Sequence, residues 1–386
     1  MKKLFTYLLL FAILSSSVMS CSKKDTVVPV PIAPIIQSVV FPNENDAMPG
    51  KVATLRGKGF ANGDKVTIEN ATGAVEVEVK EVTNDYLQFI VPRDAGGIYV
   101  VNIERAGKQT TLDGELSVPF VIPLDDVVMP TVSFQRGGEV NIAGKGFEDG
   151  DVIQLTAGFY SQDKVISITG VATDNGITFT LPEECYGVNN VIVTRTNRKA
   201  SLGTINIEAN VGDVIGGGVV FWTDATKIHG LIVNKTNTGT PVQQFGPGVA
   251  LSGAAGTSKA IGAGKDNTAK LLAKLAAFRQ GNGSWNNKKT AAELCDELVV
   301  TEGSDTYTDW FLPSQEELIA IFKKKDLLQS KGAGMPANNY WSSSEGDGDA
   351  AGWSAYYVNF YESVNIVSGN SDKESWAIGV RAVRAF

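Results

Sequence analysis

Over the first 210 residues, apolar and polar positions alternate in short runs. Val75, Val77 and Val79 fall on one side of an extended chain while Glu76, Glu78 and Lys80 fall on the other, the pattern of a strand with one buried face. Leu87, Phe89 and Val91 repeat the pattern and stop at Pro92. Beyond residue 210 the period becomes helical. Leu271, Leu275 and Phe278 share a face between a candidate cap, Asn267, and a candidate stop, Gly281. Thr290 and Glu293 have capping-box spacing ahead of Ala291, Leu294, Cys295 and Leu298. Ser314 and Glu317 repeat that spacing ahead of Leu318, Ile321 and Phe322, and Lys323, Lys324 and Lys325 come next, where positive charge offsets exposed helix carbonyls. Val219–Trp222 and Leu231–Asn234 read as a hairpin, and Tyr356–Phe360 and the closing residues as strands.

A chain of 386 residues with 43% hydrophobic content is long enough for two or three cored units. A net charge of −8, with no basic patch beyond the three lysines, argues against nucleic acid as a partner.

One block of the chain occurs twice. Gly57-Lys58-Gly59-Phe60 with Gly63-Asp64 is matched by Gly144-Lys145-Gly146-Phe147 with Gly150-Asp151, and Phe89–Pro92 is matched by Phe179–Pro182 at nearly the same distance. The glycines allow a sharp reversal between strands and the phenylalanine can plug the end of a sandwich. Neither copy has the spacing of a phosphate-binding loop. The repeat resembles the IPT/TIG immunoglobulin-like fold, over residues 34–122 and 123–210. The resemblance implies two sandwiches in series that act as spacers.

Ahead of them, Lys2 and Lys3 precede an apolar run, Leu4–Leu14, and small residues before Cys21, which makes residues 1–20 a secretory signal too short to span a bilayer. Ser20-Cys21 resembles a bacterial lipobox, which implies lipidation of Cys21. Residues 21–33 then form a tether, with Pro29, Pro31 and Pro34 keeping its end extended. The architecture resembles surface lipoproteins of the Bacteroidota, implying an outer-membrane protein held by its lipid and facing the cell exterior. Cys185 and Cys295 remain; they lie in different regions and read as buried thiols rather than a disulfide.

Residues 211–386 hold all six tryptophans. Asp309-Trp310-Phe311-Leu312-Pro313-Ser314, Tyr340-Trp341-Ser342-Ser343-Ser344-Glu345 and the closing Val380-Arg381-Ala382-Val383-Arg384-Ala385-Phe386 resemble the Lcl (Legionella collagen-like protein) C-terminal domain family, related to the C-type-lectin-like fold. Gly216-Gly217-Gly218, His229-Gly230-Leu231 and Gly262–Thr268 extend the likeness. The expected architecture is therefore multidomain, two all-β immunoglobulin-like sandwiches followed by an α+β C-type-lectin-like domain. In that fold the first and last strands pair, which asks Val219–Trp222 to pair with Ile378–Phe386. The resemblance implies extracellular recognition of a glycan, a glycosaminoglycan-like polymer or another envelope protein, rather than catalysis.

The single histidine, His229, excludes multi-histidine metal sites and the usual nucleophile pairs, and a lone Cys295 lacks the paired thiols that the related formylglycine-generating enzymes need. Trp310 and Trp341 lie in the fold-defining motifs and read as core. Trp353 and Trp376 lie among glycines and polar residues and are the candidate stacking platforms. Asn338, Asn339, Ser343 and Glu345 are candidates to hydrogen-bond a hydroxyl-rich ligand. Glu345, Asp347 and Asp349 alternate along a glycine-rich loop and are the candidate calcium ligands, without a full calcium-loop pattern.

Overall fold

The computed structural model describes residues 32–160, 164–239, 243–251, 256–281, 285–361, 368–375 and 378–386. The leader, Cys21, nearly all of the tether and Trp376 lie outside them. The chain divides into two compact units. One comprises the residues up to Ala47 with Val52–Val91 and Ile98–Ser117; the other comprises Met48–Lys51, Pro92–Gly97 and Val118–Phe386.

The first unit is an immunoglobulin-like sandwich. One sheet runs Gln37–Val40, Val52–Lys58, Tyr86–Ile90, Val79–Val82; the other runs Gly73–Val77, Lys65–Asn70, Gly97–Arg105, Lys108–Thr111. Alternate residues of both sheets, among them Leu55, Leu87, Phe89, Val66, Ile68, Val101 and Ile103, are fully buried. The expected single strand through Val75, Val77 and Val79 is in fact two. The chain leaves one sheet after Val77 and joins the other at Val79; in the first of these strands Val77 is buried and Val75 is exposed.

The second unit opens with a sandwich of the same strand order: Asp125–Val128, Glu139–Lys145, Gly176–Thr180, Val171–Thr173 faces Ile166–Thr169, Val152–Thr156, Gly187–Arg195, Arg198–Ile207, with Ser133–Phe134 added in parallel to the last. The duplicated motif has the same chemistry in each copy. Asp64 is sealed from solvent and accepts from Arg105 Nε at 2.6 Å and Nη2 at 2.8 Å, while that Nη2 also reaches the Gly59 carbonyl at 2.8 Å. Asp151, Arg195 and Gly146 repeat the arrangement at the same three distances. Each Asp also caps its own turn, accepting from Ala61 N or Glu148 N. A side chain at Gly59 or Gly146 would strike a backbone carbonyl, at 2.2 Å from Ile35 O and 2.5 Å from Pro123 O, which is why both positions are glycine. Phe60 and Phe147 are both buried.

The rest of the second unit is α+β. One sheet runs Val214–Ile215, Gly218–Thr223, Gly230–Asn234, Val383–Ala385; another runs Ser368–Asp372, Ser354–Asn359, Asn339–Glu345, Ile378–Gly379. The expected pairing of Val219–Trp222 with the terminal strand is not found. The short Val214–Ile215 strand takes the outer edge of Gly218–Thr223, and the inner edge is taken by Gly230–Asn234, which receives Val383–Ala385. The closing segment is divided as well, since Ile378–Gly379 pairs with Asn339–Tyr340 in the other sheet.

Helices run Gly264–Gly281, Ala291–Asp296, Gln315–Lys323 and Lys325–Ser330. The Thr290/Glu293 and Ser314/Glu317 boxes both form. Asn267 is not a cap but lies within the first helix, buried, with its side chain joined to Ser258 and Ser343. The Glu317 carboxylate does more than close its own box. It is fully buried and accepts from Gly262 N as well as Ser314 N, so it fixes the start of the first helix; burial pushes its pKa up against the pull of these N–H groups.

The second sandwich and the α+β part share a core rather than meeting as separate beads. Phe159 and Tyr186 pack edge-on against Phe386, with ring centroids 6.2 and 5.1 Å apart. Arg384, 1% exposed, crosses the junction: it holds Asp309 at 2.6 and 3.0 Å, donates to the Gly216 carbonyl at 3.1 Å and reaches the Phe159 carbonyl. Cys185 and Cys295 are free and buried; burial pushes the Cys185 thiol up to about 12 and Cys295 well above its ordinary value.

Arg384→Leu leaves the Gly216 and Phe159 carbonyls without their donor, while Asp309 can turn to water, and should cost about 2–4 kcal/mol in urea unfolding; a loss below about 1 kcal/mol would show the junction is held by apolar packing alone. Neither thiol should react with Ellman's reagent in the native protein at mildly alkaline pH, and both should react on unfolding.

Candidate functional site

Strand Asn339–Glu345 is central to its sheet, and Tyr340 to Glu345 are all buried. This corrects the reading of Ser343 as a ligand-binding residue. Its hydroxyl accepts from Asn267 Nδ2 at 3.1 Å, and its N–H donates to the Pro313 carbonyl. Ser342 and Ser344 likewise bond to the Tyr356 and Ser258 carbonyls. The serine run is a set of internal fasteners.

Glu345 is also interior, 3% exposed, and faces Lys373, which has no exposed surface. Lys373 Nζ donates to the Val249 carbonyl at 2.6 Å as well, and Glu345 Oε1 accepts from Leu251 N at 2.8 Å. Burial lowers the Lys373 pKa while Glu345 raises it, and burial wins. The pair stitches the Val249–Leu251 loop to the sheet. It also corrects the calcium reading: Glu345 is committed inward to an ammonium, and Asp347 is committed to Lys259 and Tyr356. Among the described residues no three His, Cys, Asp or Glu side chains converge as metal ligands.

The surface begins where the buried strand ends. After Gly346, residues Gly348–Gly352 make one 3-10 turn, and Trp353 follows it at the head of strand Ser354–Asn359. Trp353 is 54% exposed. Its carbonyl accepts from Lys373 N at 3.0 Å, so the backbone behind the indole is fixed to the neighbouring strand. Three residues on, the Tyr356 hydroxyl donates to Asp347 Oδ2 at 2.9 Å, Lys259 Nζ donates to the same oxygen at 2.6 Å, and this ammonium lies 4.2 Å from the Tyr356 ring centre. Lys259 and Tyr356 together hold the Asp347 carboxyl below its usual range. Across the sheet, exposed Asn370 pairs with Tyr356 and exposed Asp372 with Ser354.

The Trp353 patch is thus the exposed indole at the head of this strand and, three residues along it, the Lys259–Asp347–Tyr356 cluster with Asn370 on the next strand. Sequence reasoning found Trp353 but missed Lys259, Tyr356 and Asn370, which come from a loop and two strands with no shared motif. Asn338 and Asn339 are half-buried at the other end of the serine strand, roughly 20 Å from Glu345 by strand rise. They do not belong to the patch; the Asn338 side chain accepts from Asn339 N, and Asn339 Oδ1 has no hydrogen-bond partner. Trp310 and Trp341 are core, their indole N–H groups donating to the Tyr307 and Gln243 carbonyls.

No family model matches the chain, and no characterised protein matches it in sequence. Among solved structures, the titin pair A168–A169 is 17% identical over 42% of this chain and 93% of that one, with a TM-score of 0.20. The Bacteroides ovatus mixed-linkage glucan utilization locus protein SGBP-B, in complex with a mixed-linkage heptasaccharide, is 18% identical over 50% of this chain and 48% of that one, with a TM-score of 0.21. A Bacteroides thetaiotaomicron protein of unknown function is 14% identical over 54% and 56%, also at 0.21. With overlaps this low, the immunoglobulin-like description of the two sandwiches rests on their strand order and buried faces.

Because Trp353 is 54% exposed, Trp353→Ala should cost about 1 kcal/mol by urea unfolding, well short of the roughly 3–5 kcal/mol of a core tryptophan. A larger loss would place the indole in the core.

Proposed function

We propose that this protein is a non-catalytic, lipid-anchored recognition protein of the outer membrane, and that its α+β part, of C-type-lectin-like type, captures a glycan at the Trp353 patch. The observation that carries the reading is Trp353 itself, a large indole left exposed at the head of a braced strand that carries, three residues on, Tyr356 with Asp347, Lys259 and Asn370. An indole face matches the C–H face of a sugar ring, and the polar groups around it match the hydroxyls at its edge. The final strand, closing against the hairpin that opens the α+β part, supports the lectin-like reading, one strand over from the expected position. The leader and Cys21 support the anchor, and the tether with its sandwiches supports display on the exterior.

The test is a glycan array probed with residues 32–386, which keeps the shared core intact. Binding to at least one neutral polysaccharide is expected, and Trp353→Ala should weaken it by about 1–3 kcal/mol. A folded protein that binds no polysaccharide would sink the glycan reading.

A further inference from the structure

Where the second sandwich meets the α+β part, a cleft of about 560 Å³ opens, a volume typical of small-ligand sites at domain junctions. Both parts build it. Two ion pairs lie on its walls, each about one-fifth exposed: Arg136 with Asp213 at 2.9 Å, and Lys164 with Asp305 at 2.5 Å. The Lys164–Asp305 pair bridges from one part to the other. Tyr160, Tyr186 and Tyr307 also line the cleft, and all three are buried, so its walls are backed by the shared core.

Charge narrows what can enter. The lining carries five carboxylates, adding Glu183, Glu184 and Glu302 to the two Asp, against three cations, Arg136, Lys164 and Lys331. An anion would meet a net negative wall, and an apolar ligand would strip water from charges without replacing its hydrogen bonds. A sugar hydroxyl both donates and accepts, and each partly exposed ion pair sets a donor beside an acceptor. We propose that this cleft is a second saccharide site, taking a neutral oligosaccharide segment independently of the Trp353 patch. The inference rests on the glycan reading and names its ligand class.

Isothermal titration of residues 32–386 with cellohexaose, xylohexaose and chitohexaose tests it, in the wild type and in Trp353→Ala. At least one hexasaccharide should still bind the Trp353→Ala chain. Val214 lines the cleft and is 46% exposed, so Val214→Trp should fill it without disturbing the core and weaken that binding about tenfold or more. Lys164→Ala, which removes one donor, should weaken it about fivefold. Binding abolished by Trp353→Ala alone, or retained in that chain but unchanged by both cleft variants, overturns the cleft and leaves the glycan reading standing. A wild-type chain that binds none of the three overturns the cleft, and the array result then decides the broader reading. Tighter binding of a heparin hexasaccharide at the cleft overturns the neutral class.

Discussion

Strand Asn339–Glu345 is closed to solvent from Tyr340 onward, and its polar side chains can only be satisfied from within. That requirement organises the α+β part. Ser343 and Ser344 reach Asn267 and the Ser258 carbonyl, the Pro313 carbonyl reaches back to Ser343, and Gln315 N donates to Ser344. The start of the first helix, the capping box of the third and the loop before both are thereby fastened to one strand. Glu317 repeats the device from the opposite direction, a buried carboxylate holding Gly262 and Ser314. The sealed strand keeps the serines from water, and the chain first returns to the surface past Gly346.

The arginines of the closing segment solve a second problem. Arg381 is buried among carbonyl-type oxygens, those of Asn234, Gly334 and the Asn237 side chain, and burial drops its pKa to about 10. It clamps the end of strand Gly230–Asn234 and the turn after it to the segment at Gly334, with the polar end of a side chain rather than a hydrophobic one. Arg384 plays the corresponding part between sandwich and α+β part, with Tyr307 and Trp310 beneath its guanidinium. The second sandwich is therefore chemically continuous with the α+β part, and the two together form a surface at their junction that neither has alone.

Local signals carried far in the sequence. Both capping boxes and the burial of Cys295 come from neighbours three or four residues apart, the hairpin from two short apolar runs, and the burial of Trp310 and Trp341 from the motifs that hold them; the structure has each of these. The repeated G-K-G-F motif was legible as a turn; its reason was not, because Arg105 and Arg195 lie more than forty residues beyond their aspartates. The same distance hid the buried fate of Ser343 and Glu345, whose partners Asn267 and Lys373 come from other elements. A polar run ahead of a glycine-rich loop reads as surface until those partners are known. The Lys259–Asp347–Tyr356 cluster was invisible for the same reason, whereas Trp353 showed itself by its glycine- and polar-rich surroundings.

If contact with a glycan happens at Trp353 while the buried indoles serve only the fold, the rings must respond differently to ligand. Fluorine NMR of the 5-fluorotryptophan-labelled protein, with resonances assigned by single Trp→Phe substitutions, reads each ring separately during titration with a polysaccharide found by the array. The Trp353 resonance should shift with saturation while those of Trp310 and Trp341 stay in place. A bound state in which Trp353 does not move, or in which the core resonances move instead, would contradict the account.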